Sequence, residues 1–303
     1  MAAAELTLRA ARRRIGEDVV KGALAVCALI SVATTLGIVV ALFVPAFEFF
    51  QEVSITDFLG GKEWAPLFEP AHFGVLPLIG GTLLVTAIAS AVAMPLGLGS
   101  AIYLSEYASP RVRGILKPAL ELLAGIPTIV FGYFALTFVT PVLRDAGIQV
   151  DIFNTLAAGL VMGVMLMPTV ASLSDDAMGA VPRDLRDGAY ALGSTKVQVA
   201  TRIVVPAAVS GIVASFVLAI SRAVGETMIV LVAMGQQPNL TFDPREAAEA
   251  MTAFIAATGA GDVPTGSTEY KTIFAVGATL FVLTLVMNVF AIRLVRKYRE
   301  AYE

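Results

Sequence analysis

The chain has 303 residues, of which 57% are hydrophobic and only 15% are charged, and its mean hydropathy is +0.81. A soluble chain of this length carries about a quarter charged residues, so a water-soluble globular protein is excluded. The net charge of −3 says little, because in a membrane protein the distribution of charge between the two sides matters more than its sum. The single cysteine, Cys27, excludes an internal disulfide and a thiolate metal site.

Apolar segments long enough to cross a bilayer recur six times along the chain. A bilayer core of about 30 Å is crossed by about 20 apolar helical residues. The predicted spans are residues 20–44, 76–104, 116–140, 155–173, 203–233 and 272–294. The first is too long for a signal peptide and lacks a small-residue cleavage site, so it is predicted to be retained. The pattern predicts an all-α integral membrane protein.

Lysine and arginine are unevenly distributed between the connections. With the N-terminus inside, sixteen of the 21 basic residues fall on the cytoplasmic side, four fall outside and Arg222 lies within the fifth span. Cytoplasmic connections of membrane proteins carry the excess of basic residues. Both termini are therefore predicted to be cytoplasmic, with the acidic connections 45–75 and 234–271 facing outward. Within the latter, residues 244–257 are predicted to form a short helix.

The cytoplasmic connection between the fourth and fifth spans has a distinctive helical pattern. Pro182 suits a helix start and Gly193 is typical of a helix stop. Between them, Leu185, Ala189 and Leu192 are predicted to share one helix face. A second amphipathic piece leads into the fifth span. On periodicity alone, this element either lies on the lipid headgroups or docks in a groove of another protein.

The stretch 181–206 resembles the EAA loop of ABC importer permeases, in which Glu-Ala-Ala is followed at fixed spacing by Gly and then by Ile-x-Leu-Pro. Asp187-Gly188-Ala189 stands at the triplet, Gly193 at the glycine, and Pro206 ends the final motif. Asp replaces Glu, Val replaces Leu, and Gly188 weakens the helix by about 1 kcal/mol relative to Ala. The resemblance implies a coupling helix that fits into a separate ATPase subunit, with these predicted coupling residues: Asp187, Gly188, Ala189, Leu192, Gly193 and Pro206.

The chain itself shows no phosphate-binding loop. Gly193-Ser194-Thr195-Lys196 has the residue types of such a loop but lacks its spacing and the preceding strand. We therefore expect no cofactor in this chain, with ATP and Mg bound by the partner ATPase.

Two ionisable residues lie within the fifth predicted span. An ionisable group at bilayer depth costs at least about 2.5–3.5 kcal/mol. Arg222 and Glu226 stand four residues apart, so they are predicted to share a helix face and to pair. Such a pair either fixes helix packing or lines a pathway, where the guanidinium of Arg222 forks onto a tetrahedral oxyanion.

The third predicted span contains a further carboxylate. Glu121, near its inner end, is either an interface residue or a pathway or gate residue. Gly125 and Pro127 loosen the backbone that follows, and Thr128 is placed to satisfy a freed carbonyl. The predicted pathway residues are Arg222, Glu226, Glu121, Thr128 and Thr227.

Two motifs, Glu121-Leu-Leu-Ala-Gly-Ile-Pro-Thr128 and Arg222-Ala-Val-Gly-Glu-Thr-Met228, resemble those of the phosphate-specific transport permeases, in the CysTW-like subfamily. The segments 251–255 and 269–281 are more similar to the PstC-type subunit than to the PstA-type subunit. The resemblance implies a type I ABC importer permease fold of about six transmembrane helices, and it ties Arg222 and Glu226 to transport. The expected division is 1–75 (N-terminal segment, first span and outer loop), 76–295 (transmembrane domain with coupling loop 181–206) and 296–303 (cytoplasmic tail).

This resemblance also implies partners and a location. The expected partners are a PstA-type permease as heterodimer, two PstB-type ATPases, a PstS-type extracytoplasmic phosphate-binding protein and membrane lipid, with no nucleic acid, in the bacterial inner membrane. One arginine does not discriminate phosphate from other oxyanions, so a permease for sulfate, molybdate or phosphonate is the alternative. An intramembrane enzyme is disfavoured, because the only histidine, His72, lies in a loop without a metal-ligand set around it.

Overall fold

The fold is almost entirely helical in a computed structural model that describes the backbone of residues 2–297 and the side chains of residues 17–293. The helices are α1 Ala2–Glu52, α2 Ile55–Gly60, α3 Leu76–Ile102, α4 Pro110–Ala124, α5 Thr128–Phe134, α6 Thr140–Asp145, α7 Thr155–Gly179, α8 Arg183–Ala191, α9 Lys196–Val199, α10 Val205–Ala207, α11 Val209–Val224, α12 Met251–Gly259 and α13 Thr268–Lys297. Two short strands, β1 Trp64–Ala65 and β2 His72–Phe73, pair antiparallel. Segments of π-helix occur at Tyr103–Tyr107, Ala135–Val139, Ala200–Val204 and Val230–Met234.

Four helical stretches in the described part of the chain are long and apolar enough to cross a membrane without a break: Glu17–Glu52, Leu76–Tyr107, Thr155–Gly179 and Thr268–Arg293. They confirm the predicted first, second, fourth and sixth spans, each extended by several residues. Most of the predicted tail 296–303, and the side chains of the terminal arginines used to predict the orientation, lie outside the described residues. The orientation therefore stays a prediction.

The third and fifth predicted spans, 116–140 and 203–233, are each bent in the structure. Pro110–Ala124 meets Thr128–Asp145 at 87°, and Lys196–Ala207 meets Val209–Val224 at 71°. Counting each bent pair as one span gives six crossings. Pro127 explains the first bend, because it has no amide hydrogen and disfavours helical backbone in the residue before it.

Helices α3 and α7, hereafter the paired helices, form the centre of the bundle. Two glycines allow their backbones to approach: a Cβ added at Gly163 would lie 2.6 Å from Val92 Cβ, and one at Gly97 would lie 2.6 Å from Val170 Cβ. Small residues at helix contacts are the usual means of close packing in membranes. The buried cluster on this pair also includes residues of both bent spans, among them Phe131, Ala223 and Ile229.

Two further buried clusters close the ends of the bundle. At the end predicted to face outward, Phe49, Phe58, Trp64 and Phe254 pack around the strand pair, with ring centroids 5.0–6.1 Å apart along the chain of contacts. Phe254 lies on α12, which begins at Met251, so the helix predicted over 244–257 starts later than expected.

At the opposite end, the buried cluster joins α3, α7, α8 and the start of the fifth span. Its members include Ala101, Met178, Ala189, Val199 and Ile212. Ala189 is the buried residue of α8. The short helix between the fourth and fifth spans is therefore seated against the end of the bundle.

Candidate functional site

The fifth span is interrupted a second time, between Val224 and Met228. Helix α11 ends at Val224 and helical backbone resumes at Met228. Glu226 lies in this gap and is 8% exposed. Its Oε1 accepts hydrogen bonds from the backbone amides of Thr227, Met228 and Ile229, at 3.1, 3.0 and 3.4 Å. Glu226 therefore caps the second half of the span, where free amides and the helix dipole favour a negative charge.

Arg222 does not pair with Glu226, so the predicted ion pair is wrong. The pairing assumed helical spacing across Gly225, but the helix has ended at Val224 by that point. Instead, Nη1 of Arg222 donates to Oγ1 of Thr169 on α7 at 3.3 Å, and the side chain is exposed. Among the described residues, no carboxylate forms an ion pair with Arg222.

Exposure of this arginine has a physical consequence. Arg222 is 13 residues into α11, about 20 Å from the start of that helix, and so at bilayer depth. Charged side chains at this depth face a water-filled cavity or the interior of a bundle, because contact with lipid tails is too costly. The face that carries Arg222 is therefore one that lipid does not cover.

The helical pieces that follow the bend in the third span and the second break in the fifth span lie beside one another. A Cβ added at Gly132 on α5 would lie 3.1 Å from Met228 O and 3.2 Å from Ile229 Cα. Helix α5 thus packs directly on the second half of the fifth span. Thr128 opens α5 and is half-buried, and its hydroxyl forms no hydrogen bond within the described residues. The predicted bond from Thr128 to a freed carbonyl is absent there.

Glu121 lies on α4, before the 87° bend, and its side chain is exposed. Helix α4 contains no buried residue. Leu123 packs partly buried against the core, and two cations add ionic contacts: Arg113 Nη2 lies 2.8 Å and Lys117 Nζ 3.5 Å from Asp175 Oδ2 on α7. The sequence reading missed Asp175 because the fourth span was predicted to end at residue 173.

Two threonines around Glu226 complete the local geometry. Thr227 Oγ1 donates to Gly225 O at 3.4 Å within the gap. Thr252 on α12 donates to Glu226 O at 2.6 Å. Sequence reasoning missed Thr169 and Thr252, because their contacts with Arg222 and Glu226 span 53 and 26 residues.

The predicted coupling residues cluster around α8. Gly193 has φ +80°, the left-handed conformation typical of a residue that ends a helix, which confirms the predicted stop. Asp187 and Gly188 are exposed on α8, and Ala189 is buried. Leu192 is 89% exposed and does not share the face of Ala189, because α8 ends at Ala191. That one-face prediction is wrong for Leu192.

Other apolar side chains near Leu192 in the sequence are exposed as well. Tyr190 and Val197 are also exposed, on either side of the Gly193 turn. Pro206 is exposed on α10, just before the 71° bend. Exposed apolar groups concentrated in one region are typical of a surface that contacts another protein or a membrane.

A sequence model of the family described as binding-protein-dependent transport system inner membrane component matches residues 93–300. The chain belongs to this family. The probable ABC transporter permease protein YqgH of Bacillus subtilis is 35% identical over 271 residues, covering 88% of this chain and 87% of the relative. The phosphate transport system permease protein PstC 1 of Mycobacterium tuberculosis is 36% identical over 251 residues, covering 75% of this chain and 73% of the relative.

Solved ABC transporters share the fold. The bacterial alginate ABC transporter in complex with its periplasmic protein superposes with a TM-score of 0.66, covering 90% of this chain and 94% of that chain at 18% identity. The inward-facing MetNI methionine transporter gives a TM-score of 0.57 over 75% of this chain and 95% of that one, also at 18% identity. The permease therefore has the type I ABC importer permease fold. It is a multi-pass inner-membrane transport component and not an enzyme.

Proposed function

We propose that this chain is the PstC-type permease subunit of an ATP-driven importer that moves inorganic phosphate across the plasma membrane by alternating access. The relatives named as phosphate transport permeases support this substrate. The observation that carries the site is the exposed guanidinium of Arg222, at bilayer depth and without a carboxylate partner among the described residues. A guanidinium that no carboxylate neutralises is available for a tetrahedral oxyanion.

Glu226 has a different part in this proposal from Arg222. Its carboxylate is occupied by three backbone amides, so its negative charge is partly compensated beside the anion pathway. Arg222 then offsets the charge of the passing anion, and Thr169, Thr227 and Thr128 supply hydroxyls near the breaks. A single cation held by one hydrogen bond suits transient binding, which transport requires.

The partners we propose are those of the phosphate-specific system. A PstA-type permease covers the face that carries Arg222, and two PstB-type ATPases bind ATP and Mg, with no cofactor in this chain. The exposed apolar group around Leu192 on α8 supports ATPase docking. A PstS-type binding protein delivers phosphate at the outer side, which is assigned by the sixteen-to-four distribution of basic residues.

The test of the site is Arg222→Gln in the assembled transporter. We expect phosphate uptake to be abolished while the complex still assembles, because the side chain is exposed and does not support the core. Arg293→Gln is the matched control, since Arg293 is also exposed and lies near the end of α13, far from both breaks in sequence. Normal uptake by Arg222→Gln would reject the assigned role.

The identity of the anion is tested separately by competition. Labelled phosphate uptake by the wild-type complex is measured with excess unlabelled phosphate, sulfate, molybdate or a phosphonate. Competition by phosphate alone is expected. Stronger competition by another oxyanion would leave the permease function intact but replace the substrate.

A further inference from the structure

Arg186, on the helix that carries the coupling motif, joins three separate elements of the bundle. Its Nη2 and Nε donate to Glu106 Oε1 at 3.1 and 3.4 Å. The same guanidinium donates to Met178 O at 2.8 Å and to Val181 O at 2.6 Å. The side chain of Arg186 is 16% exposed and that of Glu106 is 5% exposed. This is a largely buried ion pair with a nearly full set of hydrogen bonds.

The acceptors belong to the ends of the second and fourth spans. Glu106 lies in the π-helical segment Tyr103–Tyr107 that ends the second span. Met178 lies in the last turn of α7, and Val181 lies two residues beyond the end of that helix. Carbonyls at the end of a helix have no partner within the helix and carry partial negative charge. Met178 O is a carbonyl of this kind and also accepts a hydrogen bond from Val181 N at 3.2 Å. The guanidinium of Arg186 adds a donor to Met178 O, donates to Val181 O and binds Glu106.

Helix α8 has few other attachments to the bundle. Ala189 is its buried residue, and Leu192, at its end, points away from the bundle. A second tie comes from α9, where Lys196 Nζ lies 5.0 Å from the ring centroid of Tyr107, the neighbour of Glu106. The last turn of the second span therefore receives two cations from the coupling loop, one on each side of Gly193.

We propose that Glu106 and Arg186 are the positioning pair through which the coupling helix moves the second and fourth spans as one unit. The proposal rests on the permease function stated above and assigns the pair to transmission of motion, not to anion binding. Ala189 alone would hold α8 weakly, so a force applied to α8 would shift this helix without moving the spans. A guanidinium that holds three acceptors on two spans converts a displacement of α8 into a displacement of both.

The proposal is tested with the whole transporter in proteoliposomes, with ATP hydrolysis and labelled phosphate uptake measured in the same preparation. For Arg186→Ala we expect uptake per ATP hydrolysed to fall by about tenfold or more, the worth of a charge-assisted hydrogen bond. The KM for phosphate should not change, since Arg222 is untouched. Arg186→Lys should recover part of the ratio, because an ammonium reaches Glu106 but cannot fork onto all the acceptors.

Glu106→Gln covers the case in which Arg186→Ala fails to assemble. It keeps the volume of the side chain and the bonds from Arg186 to the two carbonyls, and it removes only the charge of the carboxylate. We expect a fall of about threefold in uptake per ATP. Arg293→Gln is the control for loss of an exposed cation and should leave the ratio unchanged.

The outcomes separate this proposal from the proposed function. If the wild-type complex takes up no phosphate, the assigned substrate fails, and the ratio is then measured with the oxyanion that stimulates its ATPase. If wild type takes up phosphate, but assembled Arg186→Ala or Glu106→Gln keeps the wild-type ratio of uptake to ATP, the positioning role is rejected. A raised KM with an unchanged ratio also rejects it.

Discussion

The paired helices α3 and α7 and the two bent spans lie side by side but are built differently. The paired helices run without interruption for 27 and 25 residues, although Pro95 and Pro168 lie inside them. The third span breaks at Gly125–Pro127, and the fifth breaks at Ala208 and again at Gly225–Thr227. Thr128 follows the first of these breaks, and Arg222 and Glu226 flank or lie in the last. Each proline removes a backbone hydrogen bond from its helix, and close packing at glycines holds α3 and α7 together. In the bent spans, proline and glycine lie where the helix stops.

This difference indicates that the paired helices are the rigid part of the bundle and that the bent spans are the part able to change conformation. In the paired helices, a Cβ at Gly97 or Gly163 would lie 2.6 Å from a valine Cβ of the other helix, so the two helices are closely packed there. In the bent spans, short helical pieces meet at joints whose polar groups are satisfied locally, as Glu226 shows. Hinges that absorb a conformational change are a few such residues at the ends of elements. The residues proposed to bind the anion lie at or next to these joints, and among the described residues the hydroxyl of Thr169 is the hydrogen-bond partner of Arg222 on the paired helices.

The largest expected effect concerns Glu249, whose backbone carbonyl lies against α3, 2.3 Å from the position of a Cβ added at Gly81. Glu249 lies in the connection between the fifth and sixth spans and is 5% exposed, and its burial raises its pKa from 4.5 to about 7. The folded state therefore favours the protonated carboxyl, and stability falls as the pH rises from about 4.5 through 7. Glu249→Gln should remove this loss, giving up to about 3 kcal/mol more stability than wild type at pH 8 and little difference at pH 5.

Thermal unfolding of the purified complex at several pH values measures this effect. The gap between Glu249→Gln and wild type should widen with pH and then level off above pH 7. A gap that is constant between pH 5 and 8 would show that Glu249 does not change its charge there.

The second prediction tests the close packing of the paired helices with two neighbouring glycines of α3. Gly97→Ala should destabilise by about 1–2 kcal/mol, because the new Cβ would lie 2.6 Å from Val170 Cβ and 3.1 Å from Met167 O. Gly99→Ala is the control, since nothing lies within 4 Å of its Cβ position, and it should stabilise by up to about 1 kcal/mol through helix propensity. Equal unfolding temperatures for the two variants would mean that α3 and α7 can move apart.

The third prediction concerns the joint of the fifth span. Glu226→Ala removes the acceptor of three amides and should cost about 1 kcal/mol, as does the loss of a helix N-cap. Glu226→Gln keeps an amide oxygen at the same position and should lie between wild type and alanine. Unfolding temperature ranks the three proteins. If alanine is as stable as wild type, the half-helix that begins at Met228 does not depend on its cap.

The smallest effect is expected at the hydrogen bond between Thr169 of the paired helices and Arg222 of the fifth span. Thr169→Val removes the hydroxyl that holds Arg222 at 3.3 Å and keeps the shape of the side chain. We expect uptake to fall by about threefold, in line with a modest net hydrogen bond. Thr137→Val is the control, since that hydroxyl bonds only to Tyr133 O in its own span. An equal fall in both variants would place the effect in the helices and not in the arginine.

Local signals allowed much of the fold to be predicted. The continuous spans, the short helix that begins after Pro182 and its stop at Gly193 all follow from composition and backbone chemistry within a few residues. Gly125 and Pro127 indicated a loosened backbone in the third span. The breaks of the fifth span at Ala208 and Gly225 were not indicated, because hydropathy averaged over a span does not register where a helix stops. The predicted ion pair between Arg222 and Glu226 was wrong because residues four apart face each other only on an unbroken helix, and α11 ends at Val224.

Contacts between distant segments set the other limit. Arg186 was present in the coupling motif, but its partner Glu106 is 80 residues away, at the end of a span that appeared purely apolar. Asp175 likewise bonds to Arg113 across 62 residues. Both carboxylates stand at the ends of predicted spans, where a sequence pattern does not separate a solvated end from a buried ion pair.

Helix α1 contains none of the bends and hydrogen-bonded joints of the third and fifth spans. Its stretch Glu17–Glu52 has 36 residues, about 54 Å of helix for a bilayer core of about 30 Å. Its most apolar window has no buried side chain, and it packs mainly on α13, where Phe43 meets Phe281 edge to face at 5.7 Å. Lipid thickness therefore constrains this helix more than neighbouring side chains do, so exchanges among Leu, Ile and Val there should be silent. That freedom makes it a suitable site for a reporter label that follows the tilt of the transporter during its cycle.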